Sequence, residues 1–133
     1  MKYAKGSHEK VSDHFLVSEF DCKCPQCTIT LILPELIAKL EDIRVVIGIP
    51  LKINSGYRCE HYQEELRLQG FETAKGISTH SLGAAADISA NGYTGAQLEA
   101  VASKAGFKSI GVGKSFVHVD LRDKERRWSY AKS

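Results

Sequence analysis

No stretch of this chain approaches the roughly 20 consecutive apolar residues that a bilayer-spanning helix needs, so no membrane span is expected. The first residues, Met1-Lys2-Tyr3-Ala4-Lys5-Gly6-Ser7-His8, lack the apolar centre of a secretory signal, which predicts synthesis in the cytoplasm. Any work outside it would then depend on another carrier. Charge of one sign is also scarce, because a net charge of +2 is too small to argue for a nucleic-acid partner. Internal repeats and low-complexity segments are absent. The four cysteines lack the spread spacing of a disulfide framework: three crowd into Cys22-Lys23-Cys24-Pro25-Gln26-Cys27 and one stands alone at Cys59, which favours reduced thiols.

What is present is an ordinary globular composition, 43% hydrophobic and 26% charged over 133 residues, enough for one domain with its own core. Residues 1–13 are polar and aperiodic and read as a flexible N-terminal arm, leaving 14–133 as the single domain, expected as a monomer. Pro34 and the apolar steps Leu36, Ile37, Leu40, Ile43, Val46 and Ile47 predict an amphipathic helix stopped by Gly48 and Pro50. A strand at Leu51–Asn54 delivers Ser55-Gly56-Tyr57-Arg58, and a second helix is expected over Glu60–Gln69. Residues 71–77 read as a loop and Ala84–Ser89 as a strand. Thr94-Gly95-Ala96-Gln97 is a capping box that starts a third helix, ending at Gly106. Two apolar strands, Phe107–Val112 and Ser115–Leu121, flank Gly113-Lys114 as a hairpin. The charged tail carries Trp128, a large ring expected to fold back onto the domain.

The chemistry gathers in Ser78-Thr79-His80-Ser81-Leu82-Gly83-Ala84-Ala85-Ala86-Asp87 and Phe116-Val117-His118-Val119-Asp120. Strand alternation places Asp87 with Ala85 and Ser89 on one face, and His118 with Phe116 and Asp120 on the face opposite Val117 and Val119. A buried carboxylate among small residues needs a partner, and a metal would supply one. Two histidines and a carboxylate suit a catalytic zinc with three protein ligands, which lowers the pKa of water to roughly 7 and polarises a carbonyl for attack. A histidine in a glycine-rich loop is also compatible with a plain loop position, and Arg58 with a plain surface arginine. At the cysteine cluster, the Cys24-x-x-Cys27 gap suits a structural zinc held with Cys22 and closed by Cys59 or His14; buried idle thiols are the simpler alternative, and a disulfide is open in an oxidising compartment.

The motif Ser78-x-His80-x-x-Gly83-x-Ala85-x-Asp87, with His118 in Phe-Val-His-Val-Asp, resembles the zinc D-Ala-D-Ala carboxypeptidase family and its murein-endopeptidase and phage-lysin relatives. Ser55-Gly56-Tyr57-Arg58, Gly111-x-Gly113 and Arg126-Arg127-Trp128 extend the resemblance over roughly residues 14–130. It implies a small α+β domain of the hedgehog/DD-peptidase kind, an antiparallel sheet with helices packed on one side. It further implies His80, Asp87 and His118 as zinc ligands, Arg58 at the substrate carboxylate or developing oxyanion, and Ser78 as a hydroxyl that contacts substrate or supports a ligand. The implied activity is hydrolysis of peptide bonds next to D-amino acids in peptidoglycan stem or cross-bridge peptides. A phage-encoded lysin would be made in the host cytoplasm and act on the wall after release or as part of a virion. Relatives carry an acidic residue three positions before the last zinc histidine, or a histidine two before it; here those positions are Ser115 and Phe116, and neither can take a proton. Asp120 is the nearest replacement as base, with two alternatives: Asp120 orients a ligand, or Asp120 binds the metal and His118 takes the acid/base role. The competing function is a catalytically inactive zinc domain that binds peptide or a protein partner.

Overall fold

Alternating apolar and polar residues in four short segments build one sheet, and a fifth strand from the tail completes it. In the computed structural model, residues 1–70 and 78–130 are described, and the loop expected over 71–77 lies outside the described residues, as do positions 131–133. The order of elements is β1 (Lys2–Ala4), a 3-10 turn (Val17–Phe20), β2 (Ile29–Leu31), α1 (Pro34–Ile47), β3 (Lys52–Ser55) and α2 (Glu60–Leu68). A second 3-10 turn (Thr79–Leu82), β4 (Ala85–Ser89), α3 (Gly95–Lys104), β5 (Ser109–Val112), β6 (Val117–Asp120) and β7 (Arg126–Ser129) follow. The five-stranded sheet runs β3-β4-β6-β5-β7. All its pairings are antiparallel except β5 with β7, which are parallel, so the expected antiparallel sheet gains one parallel edge from the charged tail. The architecture is α+β, as the resemblance implies.

One face of the sheet makes the core. Ala86 and Ile88 of β4, Ile110 of β5 and Val117 and Val119 of β6 pack with Leu36, Leu40 and Ile43 of α1 and Leu98 and Ala102 of α3. Helix α1 opens on Pro34 and ends where Gly48 adopts a left-handed φ of 70° and returns its N–H to the Arg44 carbonyl, 3.0 Å away. Helix α3 carries the expected capping box, Thr94 Oγ1 accepting from Gln97 N while Gln97 Oε1 accepts from Thr94 N. No helix among the described residues is long and apolar enough to cross a membrane.

Within the segment expected as an arm, β1 pairs antiparallel with β2, the Met1 amine donates to the Ile32 carbonyl at 2.8 Å, and Tyr3 and Val11 pack against the core. Backbone pairing holds this strand, and backbone groups leave no trace in a polarity pattern.

The opposite face of the sheet carries the polar groups, and its shape depends on glycine. A Cβ at Gly111 would lie 2.5 Å from Trp128 Nε1 and Cε2, so only glycine lets the indole lie flat across β5. Trp128 is the single tryptophan, which makes its fluorescence a direct report. Gly111→Ala is expected to displace the ring, shift its emission to the red and cost about 1–3 kcal/mol in urea unfolding; unchanged emission would contradict this packing.

Candidate metal centre

The register of the sheet places the predicted site in one cross-strand row. Ser55 of β3 opposes Asp87 of β4, Asp87 opposes His118 of β6, His118 opposes Gly111 of β5, and Gly111 opposes Trp128 of β7. Opposed residues share a face, so all five point away from the core. A shift in pairing between Ile53 and Ser55 accompanies the alignment of Ser55 with this row.

His80 arrives from outside the sheet, on the 3-10 turn. Ser78 Oγ accepts from His80 N at 3.1 Å and caps that turn, while Gly83 closes it with a left-handed φ of 72°. A Cβ on Gly83 would meet the Leu31 carbonyl oxygen at 2.7 Å, so the turn also needs glycine to sit against β2. Arg58 N donates to the His80 carbonyl at 3.3 Å, binding the turn to the segment after β3. His80 is 3% exposed and His118 6%, so neither imidazole is a solvent-facing loop group.

The hydrogen bonds fix which ring nitrogens face inward. His80 Nδ1 lies 2.7 Å from the Gly56 carbonyl oxygen, which can only accept, so Nδ1 carries the proton and the neutral ring presents a lone pair at Nε2. His118 Nε2 lies 2.8 Å from Asp120 Oδ2, which leaves the lone pair of the neutral ring at Nδ1. Both lone pairs converge on Asp87 Oδ1, 3.4 Å from His80 Nε2 and 3.0 Å from His118 Nδ1. The ligand atoms of His80, Asp87 and His118 all lie within 4.8 Å of one another. Two lone pairs and a carboxylate oxygen facing one another repel unless a cation stands among them. The donor set therefore fits a zinc-type ion held by two imidazoles and one carboxylate.

The electrostatics follow from these contacts. Burial alone would push the Asp87 carboxyl up, but without a metal the His118 and His80 rings, which donate to it when they take up a proton, outweigh burial and hold the group well below the usual carboxylate range. Arg58 Nη2 adds an ion pair with Asp87 Oδ2 at 2.9 Å, and Arg58 Nε donates to Ser55 Oγ at 2.9 Å. Burial lowers the His80 pKa. Burial works the same way on His118, but without a metal the carboxylates of Asp120 and Asp87 favour the doubly protonated ring and raise it.

Asp120 is fully buried behind His118. Its Oδ2 accepts from His118 Nε2, from Ser109 Oγ at 3.0 Å and from Arg122 Nη2 at 2.9 Å, and its Oδ1 accepts from Arg122 N at 3.0 Å and Nε at 3.1 Å. Both oxygens are thus committed on the side of His118 away from Asp87. Ser78, which the resemblance implies as a hydroxyl that contacts substrate or supports a ligand, is 4% exposed with its hydroxyl accepting from His80 N as the cap of that turn. Sequence reasoning missed Ser109 and Arg122, which hold Asp120, and the Gly56 carbonyl that orients His80. Arg122 lies two residues beyond Asp120, a local spacing that offered a signal; a backbone carbonyl offers none.

The cysteines also come together. Cys22, Cys24, Cys27 and Cys59 place their sulfurs within 4.8 Å of one another. His14, the other possible fourth ligand, instead puts Nδ1 2.7 Å from Glu41 Oε1.

Burial would raise the Asp120 pKa, but hydrogen bonds from His118 and Arg122 depress it overall. A depressed carboxylate contributes stability above its unfolded pKa, about 4, and loses that contribution as pH falls through the lower folded value. In metal-free protein at neutral pH, Asp120→Ala is expected to cost about 3 kcal/mol by urea unfolding, because it strands His118 and Arg122. The gap from wild type should narrow steadily below about pH 4; a gap constant down to the acid transition would contradict the pairing.

No curated protein and no solved structure matches the chain. The sequence does match the Peptidase M15 family over residues 13–120, a span that contains Arg58, His80, Asp87, His118 and Asp120. With that match covering most of its length and the buried His-Asp-His cluster within it, the chain belongs to the peptidase M15 family of metallopeptidases.

Proposed function

We propose that this protein is a zinc-dependent peptidoglycan peptidase that hydrolyses peptide bonds next to D-amino acids in stem or cross-bridge peptides, as a D-Ala-D-Ala carboxypeptidase or murein endopeptidase. The observation that carries the reading is the convergence of His80 Nε2, Asp87 Oδ1 and His118 Nδ1, with Arg58 beside them, in a member of the M15 family. Zinc held by these three residues would supply a Lewis acid for a peptide carbonyl and lower the pKa of water.

The protein's own groups do the rest. Asp120 acts as a positioning residue: it holds His118 Nε2–H, fixes the tautomer and leaves Nδ1 directed at Asp87. Gly56 does the same for His80 through its carbonyl. Arg58 fixes Asp87 Oδ2 and places a permanent positive charge where a substrate carboxylate or the developing negative charge on a carbonyl oxygen would be stabilised. Ser78 supports the site by capping the turn that carries His80. Phe116 stacks on Tyr130 at 5.3 Å between ring centroids, and Trp128 lies 5.4 Å from the His118 ring, so the β7 side of the site is an aromatic wall against which a short peptide can lie. A phage lysin, delivered on host lysis or as part of a virion, is the biological setting that fits the motif resemblance.

A second reading, a catalytically silent zinc domain that binds peptide or a protein partner, is favoured by one feature. Ser115 and Phe116 cannot take a proton, and both oxygens of Asp120 are already engaged. Purified peptidoglycan separates the two. The peptidase reading expects zinc-dependent release of amines and defined fragments by the wild type, and none by His118→Ala. Zinc bound at the three residues without cleavage across several wall chemistries would establish the silent domain instead. Asp120→Asn, which keeps shape but weakens the hold on His118, is expected to lower zinc affinity by about 10–100-fold, measured by competition with a chromogenic chelator; unchanged affinity would contradict the positioning role.

A further inference from the structure

We propose that Cys22, Cys24, Cys27 and Cys59 form a second zinc site, a closed tetrathiolate that braces the segment carrying Gly56 and Arg58 against the N-terminal loop. Three sulfur pairs lie 3.3 Å (Cys24–Cys59), 3.4 Å (Cys24–Cys27) and 3.7 Å (Cys22–Cys59) apart, and all four sulfurs fall within 4.8 Å. A tetrahedron of thiolates around zinc, with bonds of about 2.3 Å, has edges of about 3.8 Å. A disulfide needs about 2.05 Å. The four thiols are thus arranged as a cluster around a common centre and not as two bonded pairs.

The surroundings suit thiolates. Backbone amides of Gln26 and Cys27 are turned onto Cys24 Sγ, Cys59 N lies 3.4 Å from Cys22 Sγ, and Tyr62 N lies 3.4 Å from Cys59 Sγ. Lys5 Nζ sits 3.4 Å from Cys27 Sγ and also donates to the Cys24 carbonyl, adding a positive charge beside a set that would carry net negative charge with zinc. Around these sulfurs the buried residues are Cys22, Cys24 and Tyr57, with Ile29, Leu31 and Tyr62 partly buried against them. A metal would add cohesion to this small cluster.

The placement gives the site its consequence. Cys59 directly follows Arg58, whose Nη2 pairs with Asp87, and Gly56 supplies the carbonyl that orients His80. Between them Tyr57 N donates to the Phe20 carbonyl at 2.8 Å, and a Cβ on Gly56 would press on Phe20 Cα at 2.8 Å. Residues 56–59 are thus a strap held by the His-Asp-His cluster on one side and by the sulfurs on the other. Closing the chain between Cys27 and Cys59 also removes loop entropy from the unfolded state.

The test uses the full chain, purified under reducing conditions and loaded with zinc. Two zinc ions per chain are expected, and titration with a mercurial thiol reagent should release one of them as the four thiols react. His80→Ala should lose the other zinc and keep the mercurial-releasable one, so this outcome is independent of whether the protein cleaves peptidoglycan. Cobalt in place of zinc should give intense thiolate-to-metal charge transfer in wild type and in His80→Ala, and weaken by about a quarter in Cys59→Ser, which removes one of four thiolates. Should Cys59→Ser fail to fold, the wild-type release and the cobalt spectrum still decide. Release of the sulfur-bound zinc should also raise amide hydrogen exchange in residues 56–62. One zinc per chain with none released by the mercurial, or paired disulfides in the reduced preparation, would overturn the site; unchanged exchange in 56–62 would overturn the bracing.

Discussion

The pairing of β4 with β6 is the constraint on which the rest depends. Asp87 and His118 stand opposite one another only in the observed register, and that register is held from below by Ala86, Ile88, Val117 and Val119 in the core. A slip of one residue would turn the carboxylate and imidazole into the apolar layer and the valines out of it, a change that the buried face forbids. The same apolar residues that stabilise the domain therefore set the geometry of its polar site. The placement of Asp87 and His118 thus derives from strand packing, whereas His80 depends on a turn and Arg58 on the segment after β3.

Around this pair the polar groups are arranged in two layers. His80 and His118 each give one nitrogen to a fixed acceptor, Gly56 carbonyl and Asp120, and turn the other toward Asp87. Asp120 in turn is held by Ser109 and Arg122, and Asp87 by Arg58. Every charged group in the centre thus has a partner, which is what makes burial of two carboxylates and two imidazoles tolerable. The arrangement also limits Asp120: a carboxylate that accepts five hydrogen bonds is suited to holding a ring in place and ill suited to receiving a further proton.

Much of this was legible in the chain itself. The alternation through Ala84–Ser89 and Ser115–Leu121 put Asp87 on the face of its strand opposite Ala86 and Ile88, and His118 with Asp120 on the face of theirs opposite Val117 and Val119. The helix caps at Pro34, Gly48 and Thr94 were likewise written in local residue types. What could not be read was long-range: that β4 and β6 are neighbours, that the charged tail supplies a parallel edge strand, and that Cys59 rather than His14 meets the cysteine loop. Strand order and sulfur convergence arise from tertiary packing between segments tens of residues apart, which periodicity does not encode. The β1 pairing was hidden for a different reason, since its hydrogen bonds come from backbone alone.

Anomalous diffraction at the zinc edge from crystals of the zinc-loaded protein tests the central claim most directly. The expected peak is bonded to His80 Nε2, Asp87 Oδ1 and His118 Nδ1, with Asp120 still on His118 Nε2. A peak ligated by Asp120 or by His118 Nε2, or none within bonding distance of Asp87, would contradict it.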